Sequence, residues 1–222
     1  LLGNWFVKSE GDGYIDRDWF KEVSLKEIPL GLPTVRCYDL ASTKPHDNNK
    51  DPDWTRGIKA TYEKESGYFY ILDMVSLRDG PAMVQALIEN TGKEDGREVY
   101  ISIPVDAGAS GRVVADQKKA RLTALGHRVV LDSTRKGKLA RAENFLIALE
   151  EGKVFVAPGV FKKEHYAEME AFDGKNCSGH HDDIVDSLAS CYNMLTGNSL
   201  IPTIRVNRNT PQYKNLGGKT LL

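Results

Sequence analysis

The chain has 222 residues, 41% of them hydrophobic and 27% charged, with a formal net charge of −1. This suits one α/β or α+β globular domain with enough chain for a sizeable core. It excludes a global electrostatic field for nucleic acid, so any such binding rests on local clusters. Three widely spaced cysteines, Cys37, Cys177 and Cys191, give no disulfide framework and point to a reducing cytoplasm. No apolar run of about 18 residues is present to span a membrane. The opening "LLGNWFVKSEGDG" has neither an initiator Met nor a signal-peptide pattern, and reads as the interior of a longer protein.

Residues 1–34 read as a lead-in or linker that packs on the domain, aromatic at first and then punctuated by "EIPLGLPT". "VRCYDLA" (35–41) is a strand, followed by a polar loop. "TRGIKATYEKE" (55–65) and "YFYILDMVSLR" (68–78) are two more strands, joined at Ser66-Gly67 by a hairpin signal. "GPAMVQALIENTG" has helical spacing, with Pro81 tolerated in a first turn. Strands and helices then alternate. "VYISIPVD" (99–106), "HRVVLD" and "KVFVAPG" are strands; "GRVVADQKKARLTALG", "KLARAENFLIALEEG", "FKKEHYAEMEAF" and "DDIVDSLASCYNML" are helices. Short links among the first three strands suit an antiparallel meander, and the later alternation suits parallel crossovers. The expected fold is therefore α/β, a mixed central sheet flanked by helices over residues 35–196, with 197–222 as a tail.

Carboxylates mark the candidate site. On a helix, Asp182, Asp183 and Asp186 share an arc of roughly 100°, opposite Ile184, Leu188, Cys191 and Leu195. Asp near a helix start complements the dipole, which accounts for one or two of the three but leaves their crowding unexplained. Asp39 sits inside an otherwise apolar strand, where Asp is disfavoured and a buried carboxylate without a partner is costly. Asp106 ends the strand before the turn "AGASGR". Ligands of crossover sheets sit outside the carboxyl ends of strands. Asp39 and Asp106 meet there if their strands are adjacent, with Asp39 in the middle of the sheet and Asp183 delivered by the last helix. Such a cluster calls for hard divalent cations with oxygen ligands.

The ordered set "VRCYDLA", "YISIPVDAGASGR", "TRKGKLARAENFLIALEEGKVFV" and "HDDIVDSLA" resembles the C-terminal nuclease domain of the large terminase subunit of tailed bacteriophages, over roughly residues 1–195. The resemblance implies an RNase H-like fold and a metal-dependent endonuclease that cuts concatemeric viral DNA in the bacterial host cytoplasm. It implies two ions, Mg²⁺ or Mn²⁺, and Asp39, Asp106 and Asp183 as the catalytic ligands, with Asp182 and Asp186 as neighbouring acidic positions. The partners it implies are double-stranded DNA, the ATPase domain of the full-length chain, the small terminase subunit and the portal. No G-x-x-x-x-G-K-[ST] pattern occurs, so the motor is absent from this sequence. Where the family often has Glu-Pro-Gly, this chain has "DAG".

Other residues are weighed against plainer roles. Asp53, in the loop after the first strand, is a further ligand, a group that supports one, or an ordinary loop Asp. His181 lines the site or bonds a phosphate. "CSGHH" has faintly zinc-like spacing but no second ligand pair. Lys136, Lys138 and Arg141 in "RKGKLAR" are expected to track DNA phosphates, against the usual reading of a charge run as a solvated helix face. Lys162-Lys163 is a further basic cluster. Trp54 reads as a core or sheet-face aromatic. The alternatives to a terminase nuclease are another RNase H-like enzyme, such as a junction resolvase, and a non-catalytic portal-docking module.

Overall fold

The computed structural model describes residues 13–47, 49–133, 137–175 and 181–197. Lys136, Cys177, His180 and residues 198–222 lie outside the described residues. The strands are β1 (Lys21–Glu22), β2 (Thr34–Asp39), β3 (Thr55–Glu63), β4 (Tyr68–Leu77), β5 (Tyr100–Pro104), β6 (Arg128–Asp132) and β7 (Val154–Val156). The helices are α1 (Pro81–Asp95), α2 (Ala109–Ala124), α3 (Lys138–Glu150), α4 (Lys163–Glu170) and α5 (Asp183–Gly197), preceded by a short 3₁₀ turn at Arg17–Trp19.

The strands form one sheet in the order β1-β7-β4-β3-β2-β5-β6. β2, β3 and β4 pair antiparallel as the expected meander, with Gly67 supplying the positive φ of 74° at the hairpin turn. β5 joins β2 in parallel, β6 joins β5, and β7 joins β4. The sequence reading gave six strands. The seventh is β1, a two-residue edge strand inside the segment read as a lead-in, paired parallel to β7. Two exposed charged residues carry no alternation to read, so only the pairing reveals it. Strand β5 stops at Pro104 rather than Asp106. Val105 makes one more bond, N–H to the Asp132 carbonyl at 2.8 Å, before the chain turns away.

Period-two alternation sends the strand residues into two cores. Val35, Cys37, Ile58 and Ile71 pack with Phe145, Leu149, Ile184 and Leu188 of α3 and α5, and with Met169 of α4. Tyr38, Ile101 and Ile103 pack on the other face with Val84 and Ile88 of α1 and Ala115 and Leu122 of α2. On the α1 side Arg36 is buried, with its charge met by Asp95 at 2.5 Å and Asp73 at 2.6 Å. Removing one partner of such a pair leaves an uncompensated buried charge, which makes this network intolerant of single substitutions.

The topology has one consequence for the site. β2, β4, β5, β6 and β7 all run in the same direction, and α1, α2, α3 and α4 each begin at the carboxyl end of one of them. Asp39 is the last residue of β2, an interior strand beside the central β3. Four helix N-termini, with their positive dipole ends, therefore lie along the rim that carries Asp39, and α5 begins there too.

Candidate metal centre

Asp39 alternates with Val35 and Cys37, so its side chain leaves the sheet on the face covered by α5. Its carboxylate makes no hydrogen bond or ion pair among the described residues. Burial pushes its pKa up to about 8; the charges of Asp186, Asp183 and Asp182 act in the same direction and that of Arg141 opposes them. Asp183 opens α5 and is 5% exposed. Burial raises it to about 6. The Trp54 N–H, donating to its Oδ2 at 3.0 Å, opposes that rise, as does nearby His181, while Asp53 and Glu168 reinforce it. Burial also raises Asp186, against the opposing Arg141 and Lys138. Several raised carboxylates on one rim are crowded like charges that a bound cation would relieve.

A second group adjoins the first. Asp53, His181 and Asp183 offer ligand atoms that all lie within 4.8 Å of one another. His181 Nδ1 lies 3.6 Å from Asp53 and 3.7 Å from Asp183. On the other side of the ring, Nε2 is 2.9 Å from Asp51 Oδ2 and 2.8 Å from Arg78 Nη2. Arg78 also pairs with Asp51 at 2.5 Å. Its guanidinium lies 4.1 Å from the centre of the Trp54 ring. Arg78 can only donate, so its contact with Nε2 is a hydrogen bond only while Nε2 carries no proton. A metal on Nδ1 requires the proton on Nε2, where Asp51 accepts it and Arg78 keeps only its pairing with Asp51; a carboxylate behind a ligating histidine fixes its tautomer and orientation.

The donor set fits a hard divalent cation. Asp39 supplies a partly buried carboxylate without a partner among the described residues, Asp53 and Asp183 supply further oxygens, and His181 supplies one nitrogen. The structure gives Asp182 and Asp186 different companions. Lys138 Nζ lies 2.5 Å from Asp182 and 3.6 Å from Asp186, and Arg141 lies 2.5 Å from Asp186. Two of the three basic residues expected to track phosphates, Lys138 and Arg141, thus point inward to the two aspartates expected beside the metal. Lys136 falls outside the described residues. Asp106 is exposed at the rim, past the end of β5, and is not among the principal charges acting on Asp39. Its strand is next to β2, as the sequence reading required.

Sequence reasoning missed Arg78, Glu168 and the role of Trp54. Arg78 had a usable signal, a basic residue just beyond the carboxyl end of an alternating strand. Glu168 had none. It sits in a polar helix, and only folding brings its Oε1 to accept the Ile184 N–H at 3.2 Å and its Oε2 to Arg56 at 2.6 Å.

A mixed sheet of this order, with an aspartate ending its first long strand and acidic residues opening the last helix, defines the RNase H-like class. Residues 36–195 match the family model described as the terminase RNase H-like domain, and the chain belongs to that family. No curated protein gives a match. Among solved structures, the nuclease domain of the P22 large terminase superposes with a TM-score of 0.58 at 13% identity, covering 82% of this chain and 89% of that one. The human cytomegalovirus terminase nuclease domain, manganese-soaked and inhibitor-bound, gives 0.57 at 10% identity over 85% and 96%. The large terminase nuclease of the thermophilic phage G20c with bound magnesium gives 0.54 at 15% identity over 83% and 98%. At these identities the likeness concerns the fold alone. Among the described residues no helix is long and apolar enough to cross a membrane.

Proposed function

We propose that the chain is a metal-dependent DNA endonuclease, the cutting domain of a packaging terminase, acting on concatemeric viral DNA in the bacterial cytoplasm. The observation that carries this reading is Asp39, a partly buried carboxylate without a hydrogen-bond or ion-pair partner among the described residues, close enough to the acidic residues of α5 to feel their charge at the carboxyl end of an interior strand. Family membership supports it, and the magnesium and manganese bound by the related nucleases support Mg²⁺ or Mn²⁺ as the ions.

Asp39, Asp183 and Asp53 would hold the ions, with His181 as a nitrogen donor and Asp106 reaching in from the rim. Bound there, such cations would supply Lewis-acid activation of a water and charge stabilisation for the leaving 3′ oxygen. The chain's own residues do the rest. Asp51, itself paired with Arg78, would hold the His181 ring by accepting its Nε2–H. The Trp54 N–H fixes Asp183 through Oδ2, the oxygen nearest His181. The helix N-termini on the rim, with the basic residues among them, give a locally favourable place for phosphate on a chain whose net charge is −1. No protein nucleophile is required. The ATPase domain of a longer chain, the small terminase subunit and the portal are the partners proposed with this function.

The test is nicking of supercoiled plasmid in Mn²⁺ or Mg²⁺, in EDTA, and with an Asp39→Asn protein that retains its circular dichroism. Cleavage that needs the metal and is lost in the variant is the expected result. Near-normal cleavage by purified Asp39→Asn would sink the two-metal reading.

A further inference from the structure

Beside the metal centre lies a cavity of about 520 Å³, lined by Trp54, Arg56, Met74, Lys162, His165 and Glu168 among others. It shares two walls with that centre. Trp54 bonds Asp183 through its N–H, and Glu168 bonds the N–H of Ile184, the next residue of α5. None of the residues proposed to hold the metal lines it.

Four observations give the cavity its character. Arg56 is 3% exposed, and its Nε has no hydrogen-bond partner among the described residues. The rest of its guanidinium is fixed by Glu168 at 2.6 Å and Ser76 at 2.7 Å. Helix α4 begins at the cavity wall, where the N–H groups of Lys163 and Glu164 have no intrahelical acceptor. Lys162, the residue before that helix, is exposed and makes no side-chain ion pair among the described residues. His165 Nδ1 accepts the Lys162 N–H at 3.1 Å, so a neutral ring carries its proton on Nε2, as a donor. Burial lowers the His165 pKa, which favours that neutral form. Two acids line the same cavity. Glu168 is fully engaged by Arg56 and Ile184, whereas Glu164 is exposed and opposes an anion.

We infer that this cavity is a phosphate subsite for the DNA strand that continues from the metal centre, with Lys162, the start of α4 and Arg56 facing the anion. The inference rests on the nuclease reading given above and adds to it the path of the strand. A helix start combined with fixed donors and a lysine is a ready anion site. Lys162 belongs to a basic cluster that the metal chemistry leaves unused.

The test is anisotropy of a short labelled DNA duplex with the 222-residue protein in Ca²⁺ over a range of salt, with Mn²⁺ affinity measured in parallel. Lys162→Ala should weaken DNA binding by about 5- to 10-fold at 0.1 M salt and flatten the slope of log K against log salt by about 1. Glu164→Gln should tighten binding about threefold, since it removes one repelling charge. Both variants should keep wild-type Mn²⁺ affinity. Unchanged DNA affinity and slope in Lys162→Ala, in a protein that still nicks plasmid with Mn²⁺, would overturn the subsite alone. A wild-type protein that neither binds Mn²⁺ nor nicks would instead overturn the nuclease reading beneath it.

Discussion

The backbone N–H of Trp54 donates to Asp183 Oδ2 at 3.0 Å, tying the loop that carries Asp53 to the helix that carries Asp183. The same Oδ2 lies 3.7 Å from His181 Nδ1, so the bond holds this carboxylate beside the histidine and Asp53. Asp183→Asn retains an acceptor for the Trp54 N–H while removing the charge. The expected outcome is a folded protein with near-normal metal-free stability and Mn²⁺ affinity reduced by about 100-fold or more. Loss of a mere supporting partner costs about 10- to 100-fold, and loss of a ligand costs at least that. Calorimetric titration with Mn²⁺ measures it.

Asp39 gives the metal-free protein a distinctive pH response. Its folded carboxyl is raised to about 8 from an ordinary 3.8, so the folded state binds this proton more tightly than the unfolded chain does. The associated stability is fully present below the ordinary value and is lost as pH rises through the window up to about 8. Asp183, raised to about 6, loses its share earlier in the same window. In EDTA the wild-type melting temperature should therefore fall between about pH 5 and pH 8. The Asp39→Asn protein should show a shallower fall and melt above wild type at the upper end. Added Mg²⁺ should raise the wild type most at high pH, where the ligands are free of protons. Melting curves of the two proteins across that range decide it; a wild-type curve that rises with pH in EDTA contradicts the assignment.

The fold was legible because its signals are local. Alternation in 55–65 and 68–78, the Ser66-Gly67 turn and the later alternation of strands with helices all survive in the sheet. Asp39 and Asp183 were legible for a related reason, since a carboxylate in an apolar strand and an acidic cluster opening an apolar helix both run against propensity. Pairings made only by folding were not legible. The inward turn of Lys138 and Arg141 depends on how α3 packs on α5. The Arg78–Asp51–His181 triangle joins residues far apart in sequence, with no pattern to link them. The two-residue β1 carries no periodicity of its own.

The inward pairs of α3 make a prediction with opposite signs for stability and metal binding. Arg141 holds Asp186, whose side chain is 9% exposed, and Lys138 spans Asp182 and Asp186. Arg141→Ala leaves a buried carboxylate with a weaker partner and should destabilise the metal-free fold by about 3 kcal/mol, the low end for breaking such a pair. Lys138→Ala should cost less, because its nearer partner Asp182 is more exposed than Asp186 and Asp186 keeps Arg141. By removing a positive charge beside the acidic cluster it should also tighten Mn²⁺ binding. Chemical denaturation in EDTA and Mn²⁺ titration read the two effects separately; weaker Mn²⁺ binding in a folded Lys138→Ala protein would show that the lysine supports the metal rather than competing with it.

Asp51 is exposed, and its pKa is lowered first by the hydrogen bond with His181 and then by Arg78. If it fixes the histidine tautomer, Asp51→Ala should reduce metal affinity by about 10- to 100-fold with little change in melting temperature. The His181→Ala protein should show no further loss when Asp51 is also removed. Additive losses in the double variant, measured by Mn²⁺ titration, would mean that Asp51 acts independently of the ring.

The last prediction concerns Asp106, which the sequence placed at the site and the structure leaves exposed at its rim. Gly111 lies in the first turn of α2, and a Cβ there would run into the Asp106 carbonyl oxygen and come within 2.7 Å of its Cβ. Alanine inside a helix is ordinarily favoured over glycine by about 1 kcal/mol, but here the contact is with backbone and neither side can yield without moving the turn. Gly111→Ala should therefore lower the melting temperature against that trend. Gly137, the N-cap of α3, has nothing within 4 Å of an added Cβ among the described residues, so Gly137→Ala meets no clash and should cost only the modest N-cap preference for Gly over Ala. If Asp106 reaches the metal from the rim, the displaced turn costs function as well. Metal-dependent nicking per folded molecule should then fall in Gly111→Ala, and by at least as much in Asp106→Asn, whose melting temperature should stay near wild type because the carboxylate is solvated. Full nicking by Asp106→Asn would remove Asp106 from the ligand set and leave Asp39, Asp53, Asp183 and His181 to hold the cations.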